Sequence, residues 1–186
     1  MEKKKTFYLV STLIFFALLL QIIQLLNSNN IITDKIVNIA LIIGLIFGFV
    51  YALENFKKGV AKYSKAFMLI YAITSIYNLI ASIISCIYNT ATGLNVVDIV
   101  ITFIMIIPAL CEISLAFCKD LGKKKSLNFA FINFFIIFAL ALFDFIYYKD
   151  FAQYYAMYVG SVLLALITVI FVKEKYIDKA TRSMNK

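Results

Sequence analysis

Six runs of apolar residues, separated by short polar segments, dominate this sequence. They cover roughly 6–26, 36–53, 66–88, 96–118, 127–147 and 154–172. About 20 apolar residues let an α-helix cross the hydrocarbon core of a bilayer. Hydrophobic residues make up 63% of the 186 residues and charged residues only 15%, which is far more apolar than a typical soluble domain. The sequence therefore predicts an all-α, polytopic integral membrane protein with six transmembrane helices and no soluble domain.

The distribution of lysine and arginine predicts the orientation of these spans. Sixteen of the 18 basic residues lie at the N-terminus, in the second and fourth loops and in the C-terminal tail, whereas the alternate loops hold only Lys35 and Lys149. Because loops rich in Lys and Arg stay on the cytoplasmic side, we expect both termini to be cytoplasmic and the protein to lie in the plasma or inner membrane. The net charge of +8 then indicates contact with anionic lipid headgroups and no nucleic-acid partner.

A spacing of 60 residues suggests an internal repeat. Lys5, Lys65 and Lys125 are 60 residues apart, and each begins an odd-numbered span. One interpretation is three helical hairpins in parallel repeat, related by an axis along the membrane normal. The alternative is that three hairpins of similar length coincide by chance.

The second span carries small residues at every fourth position, namely Ala40, Gly44, Gly48 and Ala52. Such a stripe lets two helix backbones approach closely. It predicts tight packing, either within the chain, which we favour, or against a membrane protein partner or a second copy of the chain.

The third span has a polar face. Its members recur at spacings of 4, 3, 4, 3 and 4, which place them on one side of a helix: Tyr71, Ser75, Asn78, Ser82, Ser85 and Asn89. In lipid such groups must face the bundle interior or water. They predict either hydrogen bonds between helices or the lining of a cavity for a solute.

The fourth span contains Pro108 and, one turn later, Glu112. Proline frees the carbonyl of residue 104 and predicts a helix kink. Because an acidic charge is expensive within a membrane, Glu112 is either a proton, cation or solute site, or a neutral carboxyl bonded to the freed carbonyl. Together with Asn78 it forms the centre of the predicted cavity.

Catalysis finds little support in the sequence. The chain has no histidine, which removes the commonest general base and metal ligand. No two carboxylates share a face within a span, and no Ser or Cys lies in a nucleophile motif. The cysteines Cys86, Cys111 and Cys118 form no CxxC or Cys/His pattern, so neither a metal site nor a disulfide framework is indicated. We therefore expect no enzyme and no cofactor.

Six short-looped helices in under 200 residues resemble the layout of the substrate-capture subunits of energy-coupling-factor vitamin transporters. The three-hairpin arrangement is also similar to small acid-resistance membrane proteins of the HdeD type. Both likenesses concern size and layout, and no motif transfers residues. The sequence favours a transport-related component that handles a solute, ion or proton. The alternative is a non-transporting membrane partner, such as an immunity, assembly or regulatory subunit.

Overall fold

The structure is a computed structural model that describes residues 2–26, 32–56, 62–89, 96–147 and 151–184. These residues form six α-helices, joined where the chain is described by a turn at 117–123. The helices are α1 (Glu2–Leu26), α2 (Ile32–Phe56), α3 (Lys62–Asn89), α4 (Val96–Ala116), α5 (Lys124–Tyr147) and α6 (Phe151–Met184). The predicted all-helical architecture is confirmed.

Five of the six helices are long and apolar enough to cross a membrane. The qualifying segments are Lys5–Ile23, Lys35–Glu54, Lys65–Ile84, Ile99–Ala116 and Lys124–Tyr147. The sixth predicted span, 154–172, lies within α6, but the structure does not describe the side chains of its first residues, 154–158. Beyond that span α6 continues to Met184, because its Lys-, Glu-, Ala- and Arg-containing tail has good helix propensity although it is too polar for lipid.

The helices form a closed ring in chain order. Each packs against the helices before and after it, and α6 returns to pack against α1. Because short connections join antiparallel neighbours, α1, α3 and α5 run one way and α2, α4 and α6 the other. One end of the ring, here called the terminal end, therefore holds both chain termini and the 117–123 turn. The opposite end is called the far end.

The hydrophobic core lies mainly towards the terminal end. In α3 and α5 the last fully buried residues among those described are Thr74 and Asn133, and in α4 the first is Pro108. On the far-end side of these positions the described side chains of α3, α4 and α5 are all half-buried or exposed. In contrast, α1 and α2 remain packed further towards the far end, where Gln21 and Asn38 are buried. The wall made by α3, α4 and α5 is therefore sealed at its terminal end and loosely packed towards the far end.

The small-residue stripe of α2 packs within the chain. A Cβ added to Gly44 would lie 3.1 Å from Cγ2 of Ile70, and one added to Gly48 would lie 3.3 Å from Cδ2 of Phe67. Ala52, one turn beyond Gly48, is also buried, while Ala40 is half-buried. The glycines therefore let α3 approach α2 closely, as the intramolecular interpretation predicted.

Burial recurs at the 60-residue spacing in the even-numbered helices. Three sets of equivalent positions are fully buried in all three hairpins: Gly48, Pro108 and Thr168; Tyr51, Cys111 and Phe171; and Ala52, Glu112 and Val172. A parallel repeat of three hairpins around a ring produces this pattern, since equivalent positions then face the same axis. The repeat itself stays a prediction.

Candidate functional site

Glu112 lies on the interior side of α4, one turn before the helix ends. Its side chain is 2% exposed, because α4 turns this face towards α3 and α5, its two neighbours in the ring. Pro108 lies one turn earlier, inside the same helix and also buried. A carboxyl group at such a position has lost its hydration, which costs several kcal/mol for the charged form unless protein groups or an ion replace the water.

Three polar side chains converge on the Glu112 carboxyl. Ser75 and Tyr71 reach it from α3, and Asn133 reaches it from α5. The Tyr71 hydroxyl also lies within interaction range of the Asn133 amide. Asn133 is completely buried and Tyr71 is 6% exposed. These four residues, Glu112, Tyr71, Ser75 and Asn133, are called the polar cluster below.

The members of the polar cluster lie within interaction range of one another, but no hydrogen bond of normal geometry joins the buried atoms of Glu112, Tyr71 and Asn133. Both carboxyl oxygens of Glu112, the Tyr71 hydroxyl and both polar atoms of the Asn133 amide lack a hydrogen-bond partner. The alternative in which Glu112 bonds to the carbonyl freed by Pro108 is therefore not realised here. Buried polar atoms are seldom left unpaired, so these five atoms are available to pair with a ligand.

An aromatic layer packs against Tyr71 of the polar cluster. The Phe67 ring lies 6.1 Å from that of Tyr71 and 5.5 Å from that of Phe171. The Tyr51 ring meets Phe171 edge-on at 4.7 Å. Lys175 then covers Tyr51 from the terminal end, with its Nζ 5.3 Å from the ring centroid. This layer joins α2, α3 and α6 across the interior of the ring.

The structure brings together only part of the polar face predicted on α3. Tyr71 and Ser75 contact Glu112, but Asn78 is exposed and is not among the groups that act on that carboxyl. Ser82 is half-buried and donates to Sδ of Met105 in α4 at 3.9 Å. The polar face of α3 is therefore buried in the early part of the helix and becomes more exposed further along, where the α3–α4–α5 wall is loosely packed. The side chains of Ser85 and Asn89 lie outside the described residues.

Asn133 was missed by sequence reasoning. It stands alone in the apolar run of α5, without the periodic partners that made the α3 face visible. The sequence did carry a signal for Asn133, because an amide in the middle of a long apolar helix needs a polar partner. The sequence did not show that α5 lies beside α4, and so it gave Asn133 no partner.

A second polar arrangement lies in the turn at the terminal end. Lys179 of α6 donates to Oδ2 of Asp120, and the backbone N–H of Gly122 donates to Oδ1 at 3.0 Å. These hydrogen bonds, Lys179 first, hold the pKa of Asp120 below its ordinary value. Leu121 is buried beside them. The turn is therefore docked onto the polar extension of α6.

The described residues contain no group of three or more His, Cys, Asp or Glu side chains that could hold a metal ion. Cys111 is buried and Cys118 half-buried, and both are free thiols. Cys118 lies in the turn, where its sulfur is 3.3 Å from Oγ of Ser126. The polar cluster contains one carboxylate and neutral oxygen or nitrogen donors, a set suited to a small polar or singly charged ligand.

Comparison of the chain with protein-family models, with curated proteins and with solved structures gives no match. Its function is therefore argued from the ring and the polar cluster.

Proposed function

We propose that this chain is a six-span protein of the plasma or inner membrane, with both termini cytoplasmic, that handles a small solute or ion inside its helix ring. The ligand enters from the far end, which faces the outside, and meets the polar cluster inside the ring. The observation that carries the proposal is the buried, unpaired carboxyl of Glu112 at the closed end of a ring that is loosely packed beyond it.

The surface of the bundle supports a lipid environment. Large apolar side chains project outwards from every part of the ring; examples are Phe15 at 60% exposed, Phe103 at 66% and Ile146 at 70%. Contiguous apolar surface on this scale is excluded from soluble monomers, but it is what hydrocarbon tails solvate. Apart from Lys35 and Lys149, the basic residues lie in the N-terminal segment, the second and fourth loops and the C-terminal tail of the sequence, which supports a cytoplasmic terminal end.

The position of the polar cluster supports solute handling. Polar and ionisable groups within a span usually face a pathway or a ligand site. Here they come from three consecutive helices and lie where the sealed and the loose parts of the α3–α4–α5 wall meet. A ligand that arrives from the far end would reach the polar cluster through the loosely packed part of this wall.

The alternative function, a non-transporting membrane partner, would need the small-residue stripe of α2 as its contact surface. Gly44 and Gly48 of that stripe instead face Ile70 and Phe67 of the same chain. A partner would have to displace these side chains to reach the glycines.

The proposal is tested by water accessibility of the loosely packed interior. In a chain with its native cysteines replaced by alanine, Ser82→Cys should react with a membrane-impermeant methanethiosulfonate added outside intact cells. The matched control is Ile80→Cys on the same helix, whose side chain is 51% exposed on the outer surface and would face lipid. Labelling of residue 82 but not of residue 80 is the expected result. An unreactive residue 82 would mean that the interior is dry, and the transport proposal would fail.

A further inference from the structure

We propose that the polar cluster binds one monovalent inorganic cation, for which Na⁺ is the experimental probe. This inference rests on the proposed function, because it names the ligand class of the same site. It is argued from the donor atoms of the cluster, from its charge and from its place in the ring.

The donor atoms are those of an alkali-metal site. The cluster offers the two carboxyl oxygens of Glu112, the amide oxygen of Asn133 and the hydroxyls of Tyr71 and Ser75. Hard oxygen donors of this kind suit hard cations, whereas transition metals prefer imidazole and thiolate. The chain has no histidine, so the nitrogen ligand that transition metals use most often is unavailable to this site.

The single acidic group of the cluster favours a ligand that carries one positive charge. Glu112 is its only acidic group, and the described side chains that act on this carboxyl include no Lys or Arg. A monovalent cation would neutralise the carboxylate. A divalent cation would leave a net positive charge among apolar side chains, which is costly in a medium of low dielectric constant.

The unpaired atoms favour an ion over a proton. A protonated carboxyl would be a hydrogen-bond donor beside two good acceptors, the Asn133 amide oxygen and the Tyr71 hydroxyl. These neighbours lie within interaction range of the carboxyl, but neither carboxyl oxygen makes a hydrogen bond of normal geometry to them, and the polar atoms of Tyr71 and Asn133 make none either. One cation among them satisfies several oxygens at once, whereas a proton satisfies only a single pair.

The ring gives the cation one route. The α3–α4–α5 wall, which supplies all four residues of the polar cluster, is loosely packed towards the far end. Towards the terminal end, Phe67 and Phe171 pack edge-to-face behind Tyr71, and Lys175 lies beyond them over Tyr51. A cation from the far end would therefore reach Glu112 through the loosely packed part of the wall.

The test is saturable binding of ²²Na⁺ to the purified full chain in detergent, measured by scintillation proximity. We expect about one site per chain. Glu112→Gln keeps the shape of the side chain and removes its charge, so affinity should fall by about tenfold or more, the equivalent of losing one charged contact. Tyr71→Phe should weaken binding less. Thr168→Val, which alters a buried hydroxyl bonded to the Leu164 carbonyl in α6, should bind as the wild type does.

Three results would overturn the inference. The first is the absence of saturable Na⁺ binding to a wild-type chain that is monodisperse by size exclusion, which would leave water as the partner of the cluster. The second is binding that Glu112→Gln and Tyr71→Phe both leave unchanged. The third is displacement of ²²Na⁺ by choline as effective as that by unlabelled Na⁺, which would point to an organic ammonium ligand.

The failure of this inference is distinguishable from that of the proposed function. If Ser82→Cys is labelled from outside and Na⁺ does not bind, the ring handles another solute and only the cation assignment falls. If Ser82→Cys is not labelled, the proposed function falls whatever the outcome of the binding measurement.

Discussion

Lys179 and Asp120 form an ion pair that fastens the turn between α4 and α5 to the extension of α6. The pair spans 59 residues of sequence and is reinforced by the Gly122 N–H on the other carboxylate oxygen. Gly122 itself fits tightly, because a Cβ there would lie 3.0 Å from the Lys175 carbonyl oxygen. The contact therefore sets how α4 and α5 meet α6 at the terminal end.

Breaking this pair should weaken the bundle slightly and in a pH-dependent way. Because both side chains are partly exposed, we expect Asp120→Asn to lower the free energy of unfolding by no more than about 1 kcal/mol. The folded-state pKa of Asp120 lies below its ordinary value of 3.8. The stabilisation is therefore present above that value and is lost as the pH falls through the lower folded-state pKa.

The measurement is a double-mutant cycle of Asp120→Asn and Lys179→Met, read from unfolding in mixed detergent at low and high salt. A coupling energy that decreases with salt is expected. Strictly additive single mutants would show that the two side chains do not interact in solution.

The contribution of Lys175 to stability should also rise with pH, but in a more alkaline range than that of Asp120. Burial lowers the pKa of its ammonium group from the ordinary value of 10.5, so the folded state binds this proton less tightly than the unfolded state does. The contribution of Lys175 to stability should therefore rise as the pH increases through the folded-state pKa towards 10.5. Lys175→Met keeps the aliphatic stem over Tyr51 and removes the titration, so its stability relative to the wild type should decline between pH 7 and pH 10. If the difference in stability between Lys175→Met and the wild type stays constant over this range, the pKa of Lys175 is not lowered.

The fold was largely predictable, and particular residues show why. Every helix was found because each contains a long apolar run that stands out in the sequence, and most predicted boundaries fall within the observed helices. The extension of α6 to Met184 was missed because hydropathy identifies where lipid begins, whereas the helix continues as long as its backbone hydrogen bonds form. The predicted end of α4 at residue 118 was two residues late, because Cys118 belongs to the turn that Asp120 organises.

The site was predictable only in part. Glu112, Tyr71 and Ser75 stood out because a charge or a polar stripe is conspicuous in an apolar span. Asn78 shares their helical face but is exposed, since periodicity gives the direction of a side chain and not the depth at which neighbouring helices separate. Asn133 required knowledge that α4 and α5 are adjacent in the ring, which tertiary packing alone provides.

The glycines of α2 and α6 should respond differently to substitution. A Cβ at Gly48 meets the rings of Phe67 and Phe171 and the side chain of Ile14, all within 3.6 Å, so the neighbours have little freedom to move. A Cβ at Gly160 meets only the end of the flexible Gln21 side chain, at 3.2 Å. Gly160→Ala should therefore be neutral or stabilising, whereas Gly48→Leu should cost about 1–3 kcal/mol through overpacking.

Thermal unfolding of the two variants in the same detergent measures this difference. A Gly48→Leu chain as stable as the wild type would mean that the α2–α3 approach is looser than the structure indicates.

A second carboxylate in the polar cluster should change its ion preference. Asn133→Asp places two like charges beside each other, which destabilises the site unless a cation of higher charge binds between them. We expect this variant to be less stable than the wild type in Na⁺ alone and to be stabilised by millimolar Ca²⁺, which prefers several carboxylate oxygens. Asn133→Leu, which adds no ligand, is the control and should show no response to Ca²⁺. Equal responses of the two variants would indicate that residue 133 does not face the ion.

The orientation of the ring follows from the lysines and has a direct test. Because 16 of the 18 basic residues lie in the N-terminal segment, the second and fourth loops and the C-terminal tail of the sequence, a green fluorescent protein fused after residue 186 should fluoresce in the cytoplasm. Alkaline phosphatase, which is active only after export, should be active when fused after residue 30 or residue 149 and inactive after residue 58 or residue 124. Phosphatase activity at residue 124 would mean that the ring has the opposite orientation in the membrane. Glu112 would then be reached from the cytoplasm, and the entry route proposed for the ligand would reverse with it.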